Sequence, residues 1–165
     1  MKKLIFLLFI VSPTLVFSQF TLNKDFDAQL KTLLKHSVTE LSVTQAKLQT
    51  QAIFIDTREK SEFTVSHISK AIWCGYNDFD LKRLKSIKKN QKIIVYCSIG
   101  YRSEKIAENL IKAGYQDVSN LVGGIFEWKN QGNEVVNSKG KITEKVHAFD
   151  TTWGKWLTKG EKTYK

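Results

Sequence analysis

Cysteine is scarce in this chain of 165 residues, in which Cys74 and Cys97 are the only two. Two cysteines are too few to hold a domain of this length together by disulfide bonds, so a hydrophobic core must do so. The chain also has no internal repeat and no low-complexity tract. These absences exclude a disulfide scaffold and a repeat architecture.

Long apolar runs are missing too. The most apolar stretch covers residues 4–11, follows two lysines, and is interrupted soon afterwards by Pro13. It is shorter than the roughly 20 apolar residues that a membrane-spanning helix needs. A charged start, a short apolar run and a small residue at Ser18 are instead typical of a signal peptide. We therefore expect residues 1–18 to be removed on export, to the periplasm or outside the cell, with no stable membrane insertion afterwards.

Acidic residues are outnumbered by basic ones. The net charge is +10, and loss of Lys2 and Lys3 with the signal peptide leaves 10 − 2 = +8. A basic surface favours anionic partners. However, the lysines are not interleaved with aromatic residues in a binding motif, and an exported protein rarely meets nucleic acid. We therefore expect no nucleic-acid partner.

The remaining 165 − 18 = 147 residues suit one domain with a sizeable core. Short apolar runs that do not alternate with polar residues predict buried parallel strands at 52–56, 92–97 and 118–122. Amphipathic or capped segments predict helices at 25–35, 42–48, 103–113 and 123–131. This alternation predicts an α/β fold with a mainly parallel central sheet flanked by helices on both faces.

Cys97 is the strongest candidate for chemistry. It closes a predicted strand just before a predicted helix, and open α/β sheets place their sites at the carboxyl ends of parallel strands. The positive end of the helix dipole and unpaired backbone N–H groups favour a thiolate there. Arg102 can add a positive charge, and Gly100 permits a tight turn. From this placement alone, an inert buried cysteine is an equally good interpretation.

Three segments of the chain resemble the rhodanese family. The residues Cys97-Ser98-Ile99-Gly100-Tyr101-Arg102-Ser103 resemble its C-x-x-G-x-R-S active loop. Residues 55–68 resemble its D-x-R-x-x-x-E-F element, and residues 121–132 resemble its closing G-G-x-x-x-W-x-x-x-G. The resemblance covers residues 41–136, and the departures from the family pattern fall in one turn, at Ser66, Ser69 and Lys70.

This resemblance implies a sulfurtransferase with Cys97 as the catalytic residue. Cys97 would take sulfur from thiosulfate or a similar small anionic donor as a persulfide, and pass it to a thiol or cyanide. It implies no cofactor and no metal, and leaves a protein thiol as a further candidate partner. The donor would be bound by the loop residues Ser98, Ile99, Gly100, Tyr101, Arg102 and Ser103. Structural support would come from Asp56, Arg58 and His67.

Two alternatives remain. A phosphatase of related fold would carry five residues between its cysteine and its arginine, whereas four separate Cys97 from Arg102. Tyr96, where such phosphatases usually carry histidine, weakens that alternative further. The second alternative is a non-catalytic binding module or a thiol or persulfide carrier for a protein partner. Cys74 is expected to be a structural thiol without a disulfide bond, because the geometric requirements of a disulfide are strict.

The resemblance divides the chain. Residues 19–40 are expected to form an N-terminal helical extension, 41–137 the rhodanese-like domain, and 138–165 a basic, aromatic C-terminal extension. In the last segment, helical spacing competes with poor helix formers, so a helix and a strand pair both stay open. We expect its apolar residues to pack onto the domain rather than contact a partner or a membrane surface; they are Phe149, Trp153, Trp156 and Leu157.

Overall fold

A sheet of five parallel strands forms the centre of the molecule. The computed structural model describes residues 19–164, so the predicted signal peptide lies outside the described residues. The strands follow the order β1-β5-β4-β2-β3 across the sheet. Their bounds are Thr39–Leu41 (β1), Ile53–Asp56 (β2), Ile72–Trp73 (β3), Lys92–Tyr96 (β4) and Asp117–Leu121 (β5). This order makes β4 the central strand, with β2 and β5 as its neighbours.

Helices cover both faces of this sheet. They are Lys24–Leu33 (α1), Val43–Lys47 (α2), Lys60–Val65 (α3), Tyr101–Lys112 (α4) and Gly124–Asn130 (α5), with a short 3-10 helix at Leu81–Leu84. On one face, Ile94 packs in a buried cluster with residues of α1, α2 and α5. On the other face, Ile93 and Val95 pack against α4 and the 3-10 helix. Alternate residues of β4 thus serve opposite cores, which confirms the predicted α/β fold with a mainly parallel sheet.

The local signals in the sequence account for most of these helices. At α2, the Ser42 hydroxyl accepts a hydrogen bond from the Gln45 N–H, and the Gln45 side chain accepts one from the Ser42 N–H. This is the capping box that the sequence predicts. The start of α4 differs from the prediction, because it begins at Tyr101, two residues early. Gly100 caps it in the left-handed region, with φ of 111°.

The C-terminal extension contains both a helix and a strand pair, and a further strand of it pairs with the end of the rhodanese-like domain. Val135–Val136 (β6) pairs with Ile142–Thr143 (β7), and Lys145–His147 (β8) pairs with Glu161–Thr163 (β9) around a short helix at Thr151–Gly154 (α6). Leu157 is fully buried, and the ring of Trp156 stacks on that of Phe26 in α1 at 5.0 Å between centroids. Part of the aromatic segment is therefore additional core. Among residues 19–164, no helix is long and apolar enough to cross a membrane.

Candidate active site

Cys97 lies where the central strand meets the first turn of α4. It directly follows β4, and α4 begins four residues later. The Gly100 N–H donates a hydrogen bond to the Cys97 sulfur, at 3.2 Å from nitrogen to Sγ. The first N–H groups of a helix have no acceptor within the helix and carry partial positive charge. The geometry therefore directs the positive end of α4 toward the sulfur, as an anionic sulfur species requires.

The N-terminus of α5 binds the backbone of the loop that begins at Cys97. Its backbone N–H groups donate to three successive carbonyl oxygens of the loop, so the loop conformation is fixed by main-chain bonds. The pairs are Ile125 to Cys97 at 2.9 Å, Phe126 to Ser98 at 3.2 Å and Gly123 to Ile99 at 3.0 Å.

The fourth carbonyl of the loop is held by side chains. Asn120 Nδ2 donates to the Gly100 oxygen at 3.0 Å, and Ser103 Oγ donates to Asn120 Oδ1 at 2.7 Å. Ser103 and Asn120 are both fully buried. The structure therefore places the Ser103 hydroxyl behind the loop, where its contacts support Gly100.

Gly124 is needed for the close approach of α5 to this loop. A Cβ atom at this position would lie 2.3 Å from the Cys97 oxygen and 2.7 Å from Ser98 atoms, all of them backbone, and φ is +53°. We expect Gly124→Ala to displace the loop and cost about 2–4 kcal/mol in unfolding free energy, through backbone strain and overpacking together. Sulfur transfer should fall with it, as measured by kcat/KM alongside denaturant unfolding.

Gly140→Ala is the matched control for this prediction. Gly140 also has a positive φ, +71°, but a Cβ atom at this position would have no other atom within 4 Å. Its substitution should cost only the left-handed backbone strain, about 1–2 kcal/mol, and leave transfer unchanged. Equal losses of stability and activity in both variants would contradict the proposed close contact.

Arg102 is held in a largely buried ion pair. Its Nη1 and Nη2 atoms donate to the two Glu62 oxygens at 2.7 and 2.8 Å, and Ser98 Oγ joins both partners at 3.0 and 3.2 Å. Burial acts to raise the pKa of Glu62, but its contacts with Arg102, the charge of Arg58 and the Glu59 N–H together outweigh burial and lower it. The positive charge that the sequence offers at Arg102 is therefore already compensated by a carboxylate of α3.

A pocket of about 440 Å³ opens in front of Cys97. Cys97, Ser98 and Arg102 form its polar part. The rest of the lining is apolar or aromatic and comes from several parts of the chain: Leu33, Tyr76, Ile99, Tyr101, Phe149 and Trp153. The volume is in the range of sites for small organic molecules.

Of the three predicted supporting residues, Asp56 lies next to the strand end that carries Cys97, since it pairs with Tyr96 of β4. Asp56 and Arg58 form a fully buried ion pair, 2.7 Å from Arg58 Nη2 to Asp56 Oδ2. His67 Nδ1 is 3.0 Å from the Phe63 carbonyl oxygen, and its ring stacks on that of Phe63. Burial lowers the pKa of His67. None of these three lines the pocket.

Cys74 is free and buried, and so is Cys97. Burial raises the pKa of the Cys74 thiol far above its usual value, and the charge of Asp56 acts in the same direction. Cys74 Sγ is 3.5 Å from the Gly75 oxygen, within reach of a weak hydrogen bond. The burial and the raised pKa make the Cys74 thiol a poor nucleophile.

We expect His147 on β8 to make the protein less stable in acid. Its Nδ1 accepts the Phe149 N–H at 3.1 Å, and burial lowers its pKa below the ordinary 6.5. As the pH falls through 6.5, the histidine takes up a proton more readily in the unfolded state than in the folded state. The stability of the folded state therefore falls as the pH falls. We expect His147→Asn, which keeps an acceptor but does not titrate, to lose less stability between about pH 7 and 5. Denaturant unfolding at both pH values measures this.

His36→Asn provides a control of opposite sign. A bond to the Lys31 carbonyl and another to Glu40 raise the pKa of His36. The stability contributed by His36 is therefore present in acid and lost as the pH rises. Without this contribution, His36→Asn should lose more stability than the wild type between about pH 7 and 5. If His147→Asn behaves like the wild type at both pH values, the role assigned to His147 is wrong.

The sequence did not identify several residues of this site. Glu62 lies in the segment that resembles the family, but only the structure shows that it binds Arg102. Asn120 carries no motif of its own. Helical spacing marked Phe149 and Trp153 as an apolar face, yet nothing local indicates that this face closes the pocket. These contacts join residues far apart in sequence, which periodicity does not detect.

Known proteins share sequence similarity with this chain. The family of rhodanese-like domains matches residues 37–131, more than half of the chain. Among curated proteins, a tRNA uridine(34) hydroxylase of Bacillus cereus (strain Q1) is 36% identical over 89 residues. The match covers 51% of this chain and 28% of that protein. The chain thus spans less than a third of the length of this curated relative.

Solved structures share the same fold. The rhodanese-like domain of a protein from Anabaena sp. superposes with a TM-score of 0.52 at 25% identity, covering 58% of this chain and 73% of that chain. A thiosulfate sulfurtransferase from Pseudomonas aeruginosa gives a TM-score of 0.55 at 22% identity, covering 61% of this chain and 20% of that chain. The second likeness concerns the fold alone.

Proposed function

Since this chain belongs to the rhodanese-like domain family, whose enzymes are sulfurtransferases or related enzymes, we propose that it transfers sulfane sulfur through a persulfide on Cys97. The donor is thiosulfate or a similar compound, and the acceptor is a thiol or cyanide. One observation carries the proposal: the Cys97 sulfur accepts the Gly100 N–H at the start of α4 and faces a pocket large enough for a substrate.

The two steps are both displacements at sulfur. The Cys97 thiolate attacks the outer sulfur of thiosulfate and a sulfur–sulfur bond to Cys97 forms. The bond between the two sulfur atoms of thiosulfate breaks, and its electron pair leaves on sulfite. A thiolate or cyanide then takes the outer sulfur and leaves the Cys97 thiolate. The positive end of α4 stabilises the anionic sulfur between the two steps.

Mass spectrometry of the intact protein tests this proposal. Reduced protein treated with thiosulfate should gain one sulfur, about 32 Da, on Cys97, and cyanide should remove it again. Cys74→Ala serves as control and should gain the same mass. If a reduced Cys97 gains no sulfur from any sulfane donor, the chain is instead a binding module. An adduct on Cys74 alone also contradicts the proposal.

Hydroxylation of tRNA is not carried over from the curated relatives. The chain matches 28% of the length of the Bacillus cereus protein, and that activity belongs to the whole protein. A protein thiol stays a candidate acceptor within the proposed function. If the persulfide forms on Cys97 but passes its outer sulfur only to a protein thiol, the chain is a persulfide carrier.

We also propose that the protein acts after export, with residues 1–18 removed. The support is the charged start and short apolar run of the sequence. The mass of the protein recovered from cells should correspond to a chain that begins at Gln19. A mass that retains Met1 or the following apolar residues contradicts this proposal.

A further inference from the structure

The walls of the Cys97 pocket come partly from outside the family domain. Leu33 belongs to α1, while Phe149 and Trp153 belong to the C-terminal extension. All three lie beyond the matched residues 37–131. The extensions therefore add apolar and aromatic surface to the pocket that Cys97 lines.

Little uncompensated positive charge faces this pocket. Arg102 is the single cationic side chain among the described residues that line it. Both of its terminal nitrogens are bound to Glu62, and the Phe149 ring lies 5.0 Å from its guanidinium carbon. A small inorganic dianion gains little from a cation that is already paired and partly covered. The pocket as a whole is better suited to an apolar group.

Phe149 is held over the pocket by its backbone. Its φ is 66°, a conformation that costs a side chain with a Cβ free energy, and its N–H is bound to His147 Nδ1. The preceding Ala148 N–H donates to the Thr163 oxygen of β9 at 2.8 Å. The β8–β9 pair thus enforces a strained turn whose result is an aromatic ring, still 45% exposed, above Arg102.

Trp153 lies in α6, the short helix that follows Phe149, and this helix fixes its position. Asp150 Oδ1 accepts the Trp153 N–H at 2.9 Å and caps α6. Gly154, the next residue, packs against Ala148, where a Cβ would lie 3.2 Å from two Ala148 atoms. The indole therefore lines the pocket from a short helix that packs against the Phe149 turn.

From these observations we infer that the substrate of this pocket is an organic sulfane-sulfur donor whose sulfur is carried by an apolar or aromatic group. This inference rests on the proposed sulfur transfer at Cys97 and names the class of donor. The apolar group lies against Phe149 and Trp153, and the anionic outer sulfur lies at the N-terminus of α4 beside Cys97.

An aromatic thiosulfonate, R–SO2–S⁻, is the probe for this class. The Cys97 thiolate attacks its outer sulfur, and a sulfur–sulfur bond to Cys97 forms. The bond between the outer sulfur and the sulfonyl sulfur breaks, and its electron pair leaves on the sulfinate R–SO2⁻. Two anions enter and two anions result, so the step needs no oxidant, reductant or external proton.

The test compares three donors with cyanide as the common acceptor: thiosulfate, methanethiosulfonate and benzenethiosulfonate. In the wild type, burial of the phenyl group should raise kcat/KM for benzenethiosulfonate about 10- to 100-fold above that for methanethiosulfonate. Trp153→Ala should reduce this preference at least about threefold, since it removes one wall. Comparing the variant with the wild type cancels the intrinsic reactivity of each donor.

Ile142→Ala is the matched control in the same extension. Ile142 is 60% exposed on β7 and does not line the pocket, so its substitution should leave the preference unchanged. Trp153→Phe should restore most of the preference, because it restores an aromatic wall. If Trp153→Ala does not fold, Phe149→Leu provides the same test and should reduce the preference for benzenethiosulfonate by a smaller factor.

Two results overturn the inference while leaving the proposed function intact. One is a wild type that uses methanethiosulfonate as well as benzenethiosulfonate. The other is a Trp153→Ala variant that loses rate equally with all three donors, which would make Trp153 only structural. A wild type that forms no Cys97 persulfide with any of the donors instead overturns the proposed function itself.

Discussion

Replacing Cys97 by alanine should lower kcat/KM for sulfur transfer at least about 1,000-fold, because no other group can carry the sulfur between donor and acceptor. The fold should persist, since the Cys97 sulfur accepts one hydrogen bond while the loop is held by its carbonyl oxygens. Steady-state transfer from a sulfane donor to cyanide measures the loss, with denaturant unfolding to show that the protein is folded.

Cys74→Ala is the matched substitution for this comparison. Cys74 is as deeply buried as Cys97 but does not line the pocket. We expect its loss to cost on the order of 1 kcal/mol through a small cavity and to change transfer less than about twofold. If the two alanine variants lose activity equally, or if Cys97→Ala stays within tenfold of the wild type, Cys97 is not the sulfur carrier.

Asp56→Ala should cost about 3–5 kcal/mol in unfolding free energy, the usual result of removing one partner of a buried ion pair. Asp56 and Arg58 are both fully buried, and Asp56 accepts from the Arg58 backbone as well as from its guanidinium. Without the carboxylate, the guanidinium stays charged and buried. The expected loss is a large part of the roughly 5–15 kcal/mol that typically stabilises a domain, and the shift of the urea midpoint measures it.

Two further variants show whether the burial of the charge is responsible. Asp78→Ala removes a pair with Arg83 in which the Asp78 side chain is 52% exposed, so the loss should stay below about 1 kcal/mol. Asp56→Ala combined with Arg58→Met removes both buried charges and should recover much of the lost stability. A double variant no more stable than Asp56→Ala would attribute the loss to shape rather than charge.

The sequence predicted the sheet and the position of the loop that begins at Cys97 because both follow from local patterns. A run such as 92–97 is apolar on both faces, and β4 does serve two cores. Cys97 then had to lie at a strand end. The helix after it was predicted to begin at 103 but begins at Tyr101, because a left-handed Gly100 caps it while the Ser103 hydroxyl donates to the Gly100 carbonyl.

What the sequence could not predict depends on contacts between distant segments. Residues 39–41 form an edge strand of only three residues, and they pair with β5 although only Leu41 among them is apolar. Arg102 was predicted to bind the donor and does line the pocket, but its pairing with Glu62, 40 positions earlier, was not predicted. The apolar wall at Phe149 and Trp153 depends on the β8–β9 pairing, which no single stretch of sequence specifies.

The bonds between α5 and the loop make three backbone amides reporters of the site. The N–H groups of Gly123, Ile125 and Phe126 are occupied by loop carbonyls, so they can exchange with deuterated solvent only when the loop and α5 separate. Their exchange should therefore be slow, and it should accelerate together at all three positions when the loop is displaced. Because these amides do not touch the sulfur, hydrogen exchange distinguishes a variant that has lost its loop from one that has lost only its chemistry.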